Sequence, residues 1–549
     1  MRRKSLRMVA IGAAIGVAGA LSACSTGPAT NSASTTNLAS VSVGAMKNYT
    51  AGTPFKATVP MSFSLLYSDH PNYPQKPSWL LWQQMTKLTN VKLNPTIVPM
   101  SDYAAKRSLL IGAGHAPMII PKTYPGQETP FVQSGAILPV SDYVNLMPNY
   151  EQTVKEWGLQ SEIDGLRQAD GKYYVLPGLH QQIWPDYTLV VRTDIFTKLG
   201  IAIPKTWNDL KTALGRLKAA NPSTIPFSDR YMGGATMNIA SPTYGTAMGE
   251  GLFHLGDGTM FNQATNKFVY AAAQPQYEQL LAYFNSLVKG GLMDPESFTQ
   301  TDDQAIAKFT SGKSFVISGN SQDVVTYRTS MDQTLGKGKY SISKITVPGG
   351  PAGNIIAGSR LENGVMINSQ ALKSPNFVAM MQFIDWLYYS EAGKEFAKWG
   401  VLGTTYTKSA AGVRTLEPNI NFQGLNPQGT KDLRKDYGFS GGVFAYGGST
   451  DLLQSMMSPE EIVFQKAMAA TKTPAPIAPP APLSEADQAQ ATLLQTPLQD
   501  YVDQNTLQFI LGQRPLSQFG AFVTELKGKG MTTYVDMKNK AYTTFKNKK

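Results

Sequence analysis

Apolar positions change their period along the chain, and the changes mark out elements. From Met61 to Tyr67 they fall mainly on alternate residues, Met61, Phe63, Leu65 and Tyr67, which predicts a strand with one buried face. A helix is predicted after Pro77-Ser78, carrying Trp79, Leu80, Trp82, Met85 and Leu88. A second strand is expected over Val91–Val98, a second helix over Asp102–Ile111, and a short third strand over Met118–Ile120. Further strands are expected at Gly171–Pro177, Tyr187–Arg192 and Ser314–Ser318. Helices are expected at Asp194–Leu199, after Pro204, and at Tyr277–Val288, closed by Gly290-Gly291. Thr206 with Asp209 three positions later is a variant capping box, so it should start the post-Pro204 helix. Asn376–Tyr389 reads as a strongly apolar helix and Glu485 to about Ile510 as a last helical region, with Pro497 a kink point. Strands alternating with helices predict α/β architecture.

Two stretches carry no such period. Residues 25–53 are Ser, Thr, Asn, Ala and Gly, the composition of a flexible tether, and ordered structure is expected from near Phe55. Residues 470–484 are Pro-rich, an extended spacer. Ahead of the tether, basic Arg2, Arg3, Lys4 and Arg7 precede an apolar run, Met8–Leu21, that closes on Leu21-Ser22-Ala23-Cys24. That order describes an export signal, and the run is short for a membrane span. The ending resembles a bacterial lipobox, which implies a lipid on Cys24 and a soluble body outside the membrane. The alternatives are an incidental cysteine in an ordinary secretory signal, or an uncleaved anchor. Cys24 is the sole cysteine, so a monomer has no disulfide and depends on packing.

The 549 residues suffice for two or more domains, and 42% hydrophobic with 16% charged residues is a globular balance. Of the formal charge of +11, four belong to the signal, leaving +7 with a lysine-rich end. No basic-aromatic module points to nucleic acid. The four histidines, His70, His115, His180 and His254, are scattered without zinc spacing. No nucleophile elbow or phosphate loop occurs. Loop-like stretches hold Trp184, Tyr187, Tyr244, Trp399, Tyr406 and Tyr446, whose rings either pack as core or stack on sugar rings.

Several ordered stretches then resemble one family. They are Gly171-Lys-Tyr-Tyr-Val-Leu-Pro177, Val191–Gly200 with Pro204-Lys-Thr-Trp-Asn-Asp-Leu210, Gly290-Gly-Leu-Met-Asp-Pro-Glu296, Trp399–Tyr406 and Phe509–Leu516. The chain resembles the family 1 extracellular solute-binding proteins, receptors of ABC importers. Within them it is similar to the long lipoproteins linked to oligosaccharide uptake, alginate-oligosaccharide binders included. The resemblance implies a two-lobed, periplasmic-binding-protein-like α/β fold with a hinge and an interlobe ligand cleft.

The implied organisation is a lipoprotein signal at 1–23, lipidated Cys24 with a tether over 24–57, and lobes that alternate. The first lobe would hold 58–187 and 350–405, the second 188–349 and 406–549. Crossings are expected near Tyr187–Arg192, Ile345–Gly364 and Trp399–Tyr406. The implied site residues are Tyr67, His70, Tyr124, Trp184, Tyr187, Tyr244, Arg360, Trp399 and Tyr406. Aromatics would stack on sugar, and Arg360 would bind hydroxyls or a uronate carboxylate.

The chain departs from the pattern where many long-branch members carry a calcium loop. Here that place reads Ala219-Ala-Asn-Pro-Ser-Thr-Ile-Pro226, without clustered oxygen ligands, so no metal and no cofactor are expected. Leu402 replaces a usual Glu, and Met118 a usual Asp. The resulting expectation is a non-enzymatic, monomeric oligosaccharide receptor. It would be lipid-anchored on the outer face of a bacterial cell membrane, serve an ABC permease, and bind no nucleic acid. A receptor for peptides or another solute, and a surface glycoside-processing enzyme, are the alternatives.

Overall fold

The structure, a computed structural model, describes residues 38–248 and 256–547. Contacts divide the chain into Met1–Ala39 and Ser40–Lys549, and both lobes belong to the second unit. The export signal and Cys24 lie outside the described residues. Among the described residues, no helix is long and apolar enough to cross a membrane.

Alternation makes Met61–Asp69 a strand, and its inward Phe63 and Leu65 are at most 1% exposed. It anchors a five-stranded sheet in the order Val91–Pro99, Met61–Asp69, Ile119–Thr123, Leu361–Ile367, Leu176–Leu179. The first three strands run parallel, and Leu361–Ile367 runs antiparallel to both of its neighbours. This sheet is the centre of the first lobe. The Phe377–Tyr389 helix is buried on every side, as an all-round apolar helix should be. It carries one charge inside, Asp385, whose carboxylate accepts from Tyr49 Oη (2.9 Å), Asn149 Nδ2 (2.6 Å) and the Tyr150 amide (2.8 Å).

The second lobe is built on a three-stranded sheet in the order Val316–Gly319, Thr188–Arg192, Ile342–Lys344, with both outer strands antiparallel to the central one. All five residues of Thr188–Arg192 are buried. The Trp207–Ala220 helix starts where its sequence says. Thr206 accepts from the Asp209 amide, and Asp209 reaches back to the Thr206 amide, so two orphan donors are satisfied. Pro275–Lys289 and Glu485–Ile510 pack with it in one core around Trp207, Tyr277, Phe284 and Phe509.

Three boundaries differ from the sequence-based expectation. Residues from Ser40 to Ala57, expected as tether, are bound to the first lobe, and the rest of that stretch before Leu38 lies outside the described residues. Val43 N–H donates to Pro375 O (2.8 Å), Gly52 N–H to Asn149 Oδ1 (2.8 Å) and Ala57 N–H to Thr89 O (2.9 Å), and Phe55 is buried. Backbone bonds need no apolar period, so composition does not reveal them.

Residues 350–356 stay with the second lobe. Ala352 N–H donates to Thr243 O, and Ile355–Ile356 pairs with Thr473–Pro474 at the start of the Pro-rich stretch. The chain crosses after them, where Gly358 runs against the first crossing segment. A Cβ on Gly358 would lie 2.8 Å from Ile183.

Residues 406–449 pack on the first lobe rather than opening the second. Trp79 Nε1 donates to Lys435 O (3.0 Å), Leu81 N–H to Tyr437 O (3.1 Å) and Ser440 N–H to Ala397 O (2.7 Å). The third crossing therefore falls at about residues 450–458, just before the Pro459–Thr471 helix. A buried pair, Lys344 Nζ on Glu461 Oε1 at 2.9 Å, ties that helix to the second lobe.

Candidate ligand cleft

The three crossings run together, and loops at the strand ends of both lobes meet beside them. On the first lobe, His70 follows the end of Met61–Asp69, and its ring stacks on Tyr73 with centroids 4.2 Å apart and planes 5° from parallel. The Arg434 guanidinium lies over Tyr73 at 4.8 Å and over Phe422 at 5.2 Å. Lys122 and Tyr124 come from the end of Ile119–Thr123. Ends of parallel strands are where α/β folds place ligands.

On the second lobe, Tyr187 meets Tyr231 edge-on at 6.4 Å. Arg230 fixes that pair: its guanidinium donates to Tyr231 Oη and Tyr327 Oη, each at 2.8 Å, and pairs with Asp323 at 2.8 Å. Tyr231 and Met232 both hold left-handed backbone, at φ 52° and 50°, and Met232 is 70% exposed. Two adjacent non-glycine residues in that region are strained, and such strain clusters at ligand clamps.

Gln322 joins the walls. Its carbonyl oxygen accepts from Arg434 Nη1 (2.9 Å) and from Gln423 Nε2 (3.2 Å), both on the first lobe. The next residue, Asp323, holds Arg230. One chain of contacts thus runs from the His70–Tyr73 stack through Arg434, Gln322, Asp323 and Arg230 to the Tyr231–Tyr187 pair. A cavity of about 850 Å³ lies elsewhere between the same elements, lined by Arg328, Asp332, Lys344, Phe422, Met457 and Glu460 among others; His70, Tyr73, Tyr187 and Tyr231 do not line it.

Charges in the cleft are strongly perturbed. Burial first, then Arg434 and Lys122, lower the His70 imidazole to about 4, so it is neutral at pH 7. Second-lobe neighbours desolvate the Asp186 carboxyl, and with Glu461 and Asp323 adding to that against Lys344 they push it up to about 6. Burial alone would raise Glu362, but it accepts from His180 Nε2 (2.9 Å) and the Gly447 amide (2.8 Å), with Lys398 near. Together these hold it at about 2. Burial pushes the Tyr124 hydroxyl up to about 12, with Glu362 adding to it.

The sequence-predicted site residues divide into two sets. His70, Tyr124, Trp184 and Tyr187 are half-buried at the crossings and strand ends. Among the described residues the Trp184 indole N–H is buried without a hydrogen-bond partner. The other five serve packing. Tyr67 is 4% exposed against Trp82 and Phe444. Tyr244 packs on Tyr283 inside the second lobe. Trp399 and Tyr406 are buried against each other, and Trp399 Nε1 donates to Ser455.

Arg360, expected to meet a ligand, spends its guanidinium on Glu162 Oε1 (2.7 Å), Trp157 O (2.7 Å) and Gly158 O (3.0 Å). It fastens the second crossing to the first lobe. Tyr73, Lys122, Tyr231, Gln322 and Arg434 were not foreseen. The aromatic content of Asp229-Arg-Tyr-Met232 ahead of a helix was the available signal for Tyr231; nothing local marks the others.

Comparison with known proteins agrees with this architecture. Residues 79–394, more than half of the chain, match the bacterial extracellular solute-binding protein family, and the chain belongs to that family. Membership places it outside the cytoplasm. It is similar to the fructooligosaccharide ABC transporter substrate-binding protein FusA of Streptococcus pneumoniae, 24% identical over 326 residues, 55% of this chain and 56% of that protein. It is also similar to the polygalacturonan/rhamnogalacturonan-binding protein YtcQ of Bacillus subtilis, 25% identical over 250 residues, 45% and 47% of the two chains. The chain thus matches about half the length of these curated relatives. Among solved structures, the alginate-binding protein AlgQ2 without calcium superposes with a TM-score of 0.69 at 16% identity, over 89% of this chain and 99% of that one. An HMO-binding, ABC-transporter-associated solute-binding protein from Bifidobacterium longum infantis gives 0.63 at 18% identity, over 88% and 99%. At these identities the likeness is one of fold, the two-lobed solute-binding architecture.

Proposed function

We propose that this protein is the substrate-binding component of an ABC importer, which captures an oligosaccharide between its lobes and delivers it to a membrane permease. The observation that carries this reading is the pair of aromatic clusters, His70–Tyr73 on one lobe and Tyr187–Tyr231 on the other, joined through Arg434 and Gln322. Flat rings on two faces suit the apolar C–H faces of sugars, and amide and charged groups between them suit hydroxyls. FusA and YtcQ, whose names state saccharide ligands, support the class of solute. Closure of the lobes would bury the sugar, and the closed form would be the one offered to the permease. The body would act as a monomeric receptor without catalysis, held at the outer face of the membrane by a lipid on Cys24.

Thermal unfolding of residues 25–549 against neutral oligosaccharides, uronic oligosaccharides and peptides tests the reading. A ligand that binds only the native state at one hundred times its dissociation constant adds about 2.7 kcal/mol of stability. A shift with saccharides alone is expected. A shift with peptides alone overturns the sugar assignment.

A further inference from the structure

Lys122 has features that packing does not use. It is the penultimate residue of the Ile119–Thr123 strand, in left-handed backbone at φ 58°. Its main chain is fixed on both sides: the amide donates to Tyr446 Oη (2.8 Å), and the carbonyl accepts from Arg107 (3.0 Å). Among the described residues its ammonium makes no hydrogen bond and no ion pair. The nearby acids are committed elsewhere. Glu362 accepts from His180 and the Gly447 amide, Asp69 from the Gln75 amide, and Asp432 from the amides of Arg434 and Lys435.

The ammonium and the Tyr73 hydroxyl both lie against Gly442, where a Cβ would sit 3.4 Å from Lys122 Nζ and 3.6 Å from Tyr73 Oη, so the two polar atoms are brought to one spot. Arg434 lies over the ring of that tyrosine, and its Nε, buried and without a hydrogen-bond partner among the described residues, is 4.0 Å from Asp432 Oδ1. Burial lowers the His70 imidazole beside them, and Arg434 and Lys122 add to that against Asp69. Glu362 is the carboxylate whose charge acts on the Lys122 ammonium, but it is shared with His180 and Lys398 and makes no direct contact with Lys122, so burial still disfavours the ammonium and an added anion would relieve that cost.

We propose that Lys122, with the Tyr73 hydroxyl and Arg434 beside it, receives an anionic group of the ligand, so that the captured oligosaccharide is acidic. This rests on the oligosaccharide-receptor reading. The shared chemistry is an oxyanion on a sugar ring, either the carboxylate of a uronic acid unit or a sulfate ester. Lysine serves it as a point charge and the tyrosine as a neutral donor.

Calorimetric titration of the full mature chain tests the assignment. The titrants are oligogalacturonate and oligomannuronate trimers, their methyl esters, sulfated galacto-oligosaccharides, and neutral fructo- and galacto-oligosaccharides. The variants are Lys122→Met and Lys122→Asn, the second because asparagine tolerates left-handed backbone. The expected result is that an acidic saccharide binds, that its uncharged counterpart binds at least about tenfold more weakly, and that both variants lose about tenfold or more toward the acid. Binding by the uronates or by the sulfates identifies which oxyanion is read.

Binding of neutral saccharides as tightly as acidic ones, or unchanged acid affinity in both variants, overturns the proposal and leaves the receptor reading standing. No binding of any saccharide overturns both. Circular dichroism and melting of the variants establish that any loss is not one of folding.

Discussion

Replacing Glu362 by glutamine isolates one charge at the place where three segments of chain meet. Glu362 sits in the Leu361–Ile367 strand; His180 leaves the neighbouring Leu176–Leu179 strand toward the second lobe, and Gly447 belongs to the loop that leads to the third crossing. Moving a carboxyl from its ordinary 4.5 to about 2 corresponds to about 3 kcal/mol of preference for the folded anion. Solvent reaches 32% of the side chain, which discounts the figure to about 2 kcal/mol. Two charge-assisted hydrogen bonds of 2.9 and 2.8 Å give the same order. Glutamine keeps the shape and one acceptor but also removes the countercharge of Lys398, whose ammonium burial already lowers to about 8.

The sign of the pH dependence is set by the depressed value. The stabilisation is complete above the unfolded value of about 4.5 and fades as pH falls toward 2. Urea unfolding of wild type and Glu362→Gln at pH 7 and pH 3 should give a gap of about 2 kcal/mol at pH 7 that shrinks by more than half at pH 3. A gap of equal size at both pH values would refute the electrostatic account and assign the loss to packing.

Other outcomes rest on the same geometry. Tyr187→Ala and Tyr231→Ala should each weaken saccharide binding about tenfold or more by calorimetry, while the fold, read by circular dichroism, is retained. Gln322→Ala removes both hydrogen bonds between the lobes made by that side chain, so affinity should fall about fivefold and the unliganded protein should scatter X-rays with a larger radius of gyration. Thr206→Ala deletes the capping box of Trp207–Ala220 and should cost about 1 kcal/mol in a melting experiment, with binding untouched. Tyr49→Phe takes one donor from Asp385 and should cost about 1 kcal/mol, showing that the stretch before Phe55 belongs to the first lobe rather than to a free tether.

What could be read from the residues was what is local. Thr206 and Asp209 start a helix through contacts three positions apart, and Met61–Asp69 announces itself by a period of two. Both depend on neighbours in the chain. The cleft depends on distant partners. Arg360 looks like a free cation in sequence, yet its carboxylate, Glu162, lies 198 positions away. Lys122 looks like any strand-end lysine, and only the fold shows that its ammonium lacks a partner among the described residues. Trp399 and Tyr406 had the composition of a cleft loop but turn inward on each other, and with them the 406–449 segment stays on the first lobe. Aromatic content can nominate a site, but the choice between stacking on sugar and packing as core is made by burial, which composition does not contain.

Equilibrium titration of an oligosaccharide panel into residues 25–549 and into Tyr187→Ala of the same span, side by side, tests the central claim most directly. The account predicts saturable binding of one saccharide group by the native protein and a loss of about tenfold or more in the variant. Saccharide binding that is indifferent to Tyr187, or binding of peptides in place of saccharides, would contradict it.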